Sequence, residues 1–79
     1  SDYPLWDSVI TDGEVYNLFM LNRDEAATMK VIYTEHGSGE QKTYQFDVTE
    51  TDLVYTPVIF NSCQVDYNYY DADGNALFD

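Results

Sequence analysis

Fifteen carboxylates, one histidine, one cysteine and eight tyrosines hold most of the reactive or ligating chemistry available to this 79-residue chain. Their spacing matches no catalytic pattern. Residues 71–75 read Asp-Ala-Asp-Gly-Asn, and an Asp-x-Asp spacing lets alternate residues turn oxygens towards one hard cation. A calcium loop of the EF-hand type places its glycine sixth and a bidentate glutamate twelfth, whereas Gly74 is the fourth residue of this run. The segment therefore reads as a tight Asp-Gly turn, and no metal site is expected. His36 stands beside Gly37 with no second histidine or cysteine nearby, which fits an exposed turn residue. Cys63 alternates in phase with Val65, Tyr67 and Tyr69, the pattern of a buried small hydrophobe and not of a nucleophile. A single cysteine gives no internal disulfide and no zinc signature.

Carboxylate catalysis needs one acid with a raised pKa and a cleft to hold substrate, and a domain this small rarely encloses one. The chain has no phosphate-binding loop, no Gly-x-Ser-x-Gly and no His-Glu-x-x-His. The expectation is a non-enzymatic protein with no cofactor.

Charge is the outlying property. Fifteen acidic residues face three basic ones, Arg23, Lys30 and Lys42, for a formal net charge of -12. Such an imbalance destabilises the compact state by self-repulsion and favours solubility. It argues against direct contact with nucleic acid or an anionic bilayer, both of which repel it. The expected partner is a basic protein surface, such as that of a nucleic-acid-binding protein or complex. Hydrophobic residues make up 44% of the chain, too many for a disordered acidic tail.

The elements that position these groups read as a mostly β fold. A single domain over residues 1–79 is expected, a small antiparallel sheet meander of five to six strands, forming a small barrel or curved sheet. The β-prone runs are residues 5–10, 15–21, 29–35, 43–49, 53–61 and 63–70. Asp12-Gly13 and His36-Gly37-Ser38-Gly39 supply hairpin turns. Pro57 cannot donate to a ladder and implies an edge position or a bulge. Residues 76–78 can pair back as a stub. Val15, Leu18 and Phe19 also fall at helical spacing behind a candidate cap at Asp12, and good helix formers follow, so one short helix between residues 12 and 29 is an alternative. Tyr70 is out of phase with its neighbours, and Tyr16 competes for the same status, so both are candidate contact residues.

An up-and-down meander puts successive turns at alternate ends of the sheet. The breaks at residues 22–27, 49–52 and 71–75 then share one end, collecting Asp24, Glu25, Glu50, Asp52, Asp71 and Asp73, with Asp47 close by. Asp66 and Tyr70, on the last strand, complete the expected partner-binding set. Carboxylates two apart on a strand lie about 6.6 Å apart, and strands lie about 4.8 Å apart. These spacings are comparable with those between successive phosphates of a nucleic-acid strand. The leading functional reading is therefore a nucleic-acid mimic that blocks a basic surface on another protein. In size and charge alone the chain is similar to the small acidic proteins that phages and mobile elements direct at restriction or CRISPR complexes. The lone Cys63 and the absence of a signal-like segment lean towards a reducing compartment, so a cytoplasmic, host-cell location is expected in preference to secretion. Alternatives are an adhesion or cell-surface β module, plain or calcium-assisted, and an immunity or antitoxin-like inhibitor of a basic enzyme. A monomer or a dimer paired through an edge strand is expected.

Overall fold

The computed structural model describes residues 5–21 and 25–77. Six strands follow one another along the chain: β1 (Leu5–Thr11), β2 (Glu14–Met20), β3 (Thr28–Glu35), β4 (Gln41–Asp47), β5 (Leu53–Pro57) and β6 (Cys63–Tyr70). The mostly-β expectation holds, and no helix occurs among the described residues. The short helix considered between residues 12 and 29 is replaced by β2, the central strand of its sheet. Asp12 and Gly13 have φ of 52° and 78°, the two left-handed residues of a type I′ hairpin turn. Asp12 is thus committed to the turn and cannot cap a helix.

The strands do not form one sheet. They divide into two antiparallel three-stranded sheets, ordered β1-β2-β5 and β4-β3-β6. A lone six-stranded sheet would need a second layer to cover its apolar side. By dividing, the chain supplies that layer itself. Phe19 and Val54 from the first sheet meet Met29, Val31, Tyr33 and Tyr69 from the second, all buried. The Phe19 and Tyr67 rings lie 5.7 Å apart between the layers. Leu21, Ala26 and Val48, in the connections that cross from sheet to sheet, complete the core.

Polar groups also lie between the sheets. Asn17 and Thr56 are buried, and Asn17 Nδ2 donates to the Tyr33 hydroxyl at 3.0 Å. The same hydroxyl is hydrogen-bonded to Thr56 Oγ1, and Ser8 Oγ donates to Asn17 Oδ1 at 2.9 Å. This chain of bonds joins β1, β2 and β5 to β3 through one tyrosine.

Strand ends differ from the sequence expectation by local causes. The fourth strand starts at Gln41 because the 36–39 turn closes early, with Glu35 N donating to Glu40 O at 2.8 Å. It ends at Asp47, whose side chain bonds Thr49 and turns the chain. The fifth strand stops at Pro57, on the edge of its sheet as expected of a residue without an N–H. Ala76 bridges back to Tyr70, the expected stub, while residue 78 lies outside the described residues. Cys63 is half-buried against the core, less enclosed than its alternation suggested.

Candidate functional site

Because the strands still alternate in direction, the ends of β2, β4 and β6 and the starts of β3 and β5 come together. Backbone bonds stitch them: Leu21 N to Asp52 O at 2.7 Å, Val48 N to Ala27 O at 2.9 Å and Ala27 N to Tyr70 O at 2.8 Å. Glu25, Asp47, Glu50, Asp52, Asp71 and Asp73 therefore occupy one end of the sandwich. Asp24 and Arg23 lie outside the described residues. Asp47 is opposite Thr28, and Thr28 is opposite Tyr70, so Asp47 and Tyr70 are two strand spacings apart, roughly 10 Å. A shallow cleft of about 420 Å³ opens beside them, lined by Thr28, Phe46, Asp47, Thr49 and Ala72 among others.

Two of these carboxylates shape the turns that display the rest. Asp47 Oδ1 accepts from Thr49 Oγ1 at 2.7 Å and from Thr49 N at 2.9 Å. The hydroxyl bond, then the amide bond, holds the Asp47 carboxyl below its ordinary pKa. Asp71 Oδ1 accepts from Asn75 N at 2.9 Å and Asp73 N at 3.0 Å. The Asn75 amide is the main cause of the lowered Asp71 pKa. Glu50, Asp52 and Asp73 are exposed.

Asp66 stands apart from this group. It is opposite Ile32, four residues before Tyr70 and so roughly 13 Å up the strand, and its carboxylate accepts from Gln64 Nε2 at 3.0 Å. Tyr70 faces outward from the second sheet as its phase implied, but Lys30 Nζ lies 5.8 Å from its ring centre. Lys42 Nζ lies 5.5 Å from the Tyr44 ring. Among the described residues neither lysine is ion-paired with a carboxylate. No group of three or more His, Cys, Asp or Glu side chains among the described residues is arranged to hold a metal ion. No helix of the described residues is long and apolar enough to cross a membrane.

A second surface was not anticipated from the sequence. In β2 and β5, Asn17, Phe19, Val54 and Thr56 point inward, so the alternate residues point out. Opposed residues share a face, which aligns Asp7 with Leu18 and Tyr55, Val9 with Tyr16 and Pro57, and Met20 with Leu53 on the outer side. Tyr55 is 63% exposed and Met20 52%. The Tyr16 and Tyr55 rings meet edge to face, with centres 5.8 Å apart. Tyr16 OH donates to Glu14 Oε2 at 2.9 Å, and that bond to an anion raises the Tyr16 pKa. The signal was present as apolar residues in both phases: Tyr16, Leu18 and Met20 alternate with Val15 and Phe19. The second sheet turns Thr28, Lys30, Thr34, Gln45 and Asn68 outward beside Ile32 and Tyr70, a mainly polar exterior.

Comparison with known protein families, curated proteins and solved structures gives no match.

Proposed function

We propose that this chain is a non-enzymatic binding protein whose acidic end occupies a basic surface of another protein, and that it inhibits by standing where nucleic acid would bind. The observation that supports the reading is the gathering of Glu25, Asp47, Glu50, Asp52, Asp71 and Asp73 at one end of a sandwich carrying a net charge of -12. Turn hydrogen bonds fix Asp47 and Asp71, so part of the charge array is held in place before binding. Less conformational entropy is then lost on association. A basic cleft shaped for phosphates would meet carboxylates at comparable spacing, and attraction between opposite fields would speed encounter. An immunity or antitoxin-like inhibitor of a basic enzyme would use the same surface. In either case the chain acts in the compartment where its target works, the cytoplasm of a host cell.

The test is capture and displacement. The purified chain serves as bait in a host-cell lysate at about 0.05 M and about 0.5 M salt, where the Debye length shrinks from about 14 Å to about 4 Å. The expected result is a captured nucleic-acid-binding protein, retained at low salt and depleted at high salt, from which the chain displaces labelled nucleic acid. A captured protein that binds the chain and nucleic acid together would contradict the mimic reading.

A further inference from the structure

The acidic end does not use the outer face of the β1-β2-β5 sheet, and that face has the wrong chemistry for solvent. Six of the seven large apolar side chains exposed among the described residues, Val9, Ile10, Val15, Met20, Leu53 and Tyr55, belong to these three strands. Val9, Met20, Leu53 and Tyr55 share the outer face with half-buried Tyr16 and Leu18. The pattern is inverted at one level, because Asn17 and Thr56 put polar groups inside while the apolar residues beside them face out. Fold stability does not require those outward residues to be apolar. A contiguous exposed apolar patch marks an interaction surface.

We propose that this face is a second docking surface, for a protein partner that presents an apolar side chain beside an arginine or lysine. A shallow groove of about 310 Å³ runs between Val9, Leu18 and the two tyrosines, wide enough for one inserted side chain. Asp7 and Glu14 lie on the same face, and β1, β2 and β5 contain no lysine or arginine. The Glu14 oxygen not bonded to Tyr16 and the exposed Tyr55 ring together suit a guanidinium, which pairs with carboxylates and stacks on aromatic faces. A second copy of this chain is the wrong occupant. A two-fold contact through this face would bring together two sheets that each hold Asp7 and Glu14 and no lysine or arginine to pair with them, and each chain carries -12.

The inference rests on the chain being a binding protein but not on the acidic end being its contact. The two are separated by variants of the full chain. A peptide display library is selected against the immobilised protein, and enriched peptides are measured against wild type, Tyr55→Lys, Leu18→Lys and a variant with Glu50, Asp52, Asp71 and Asp73 reversed to lysine. The expected sequences join an aromatic or large aliphatic residue to Arg or Lys within a few positions. Their backbone amide shifts map to Val9, Tyr16 and Tyr55, and their affinity falls about tenfold or more in either single variant, as for a buried hot spot. Affinity in the four-site variant stays within about threefold of wild type, the acidic end acting only at long range. Thermal melts of the two single variants establish that they remain folded. No enrichment, peptides lacking either component, or shifts confined to the acidic end would overturn the proposal. So would a concentration-dependent dimer in sedimentation that Tyr55→Lys abolishes, which would make the second copy the occupant.

Discussion

Tyr33 is the side chain on which the two sheets depend for their shared polar contact. Its hydroxyl accepts from Asn17, sixteen residues earlier, and bonds Thr56, twenty-three residues later. Tyr33→Phe leaves a buried amide and a buried hydroxyl without that partner, and should cost about 1–3 kcal/mol. Urea unfolding reads this as a lower midpoint at unchanged slope; an unchanged midpoint would mean that water or another group replaces the hydroxyl. Asp71 gives a pH signature. Its folded pKa is below the ordinary 3.8, so its turn bonds add stability that is present above pH 4 and lost as pH falls through the folded value. In about 0.3 M salt, which screens the general repulsion, Asp71→Ala should melt below wild type at pH 6, and the gap should narrow towards pH 2.5. A constant gap would assign Asp71 no titratable role. The partnerships of Tyr33 were not legible in the sequence. Asn17 and Thr56 look like solvent-facing residues until a tyrosine from another strand is known to reach them. Asp71 was legible as a turn residue, since its bonds span only two to four residues, whereas Asp47 was read inside the 43–49 strand that its bond to Thr49 ends early.

The hairpins were legible for the same reason. Asp12-Gly13 announces a two-residue turn because both positions need positive φ, and the turn forms as its residues specify. Gly13→Ala places a Cβ in open space, with nothing within 4 Å, so its cost is that of the backbone alone, about 1–2 kcal/mol. Gly13→Asn should cost less, since asparagine tolerates the left-handed region. Equal melting temperatures for all three proteins would show that β1 and β2 do not depend on this turn geometry. What the sequence did not disclose is which strands pair after the hairpins. The β2-β5 and β3-β6 ladders join residues far apart in the chain, from Glu35 with Cys63, 28 positions on, to Thr28 with Tyr70, 42 positions on, and choosing them requires knowing that Phe19 and Val54 must face Met29, Val31 and Tyr69. Alternation in β4 and β6 reported one wet face correctly. In β2 and β5 the apolar residues of both phases hid the division between a core side and an outer side, and so hid the second docking face.

The charge of the whole molecule was fully legible, and so was the end at which much of it collects, because strand direction survives the change from one sheet to two. The structure describes two surfaces of different character, an acidic end and an exposed apolar sheet face; long-range attraction is proposed for the first and short-range contact for the second. The central claim is that the acidic end drives association with a basic target. The most direct measurement is the association rate of the captured target with wild type and with the four-site charge reversal at Glu50, Asp52, Asp71 and Asp73, across about 0.05 to 0.5 M salt. The wild-type rate is expected to fall by about tenfold or more over that range, and the reversed variant to associate slowly at every salt concentration. A wild-type rate indifferent to salt, or a reversed variant that associates as fast as wild type at low salt, would contradict it.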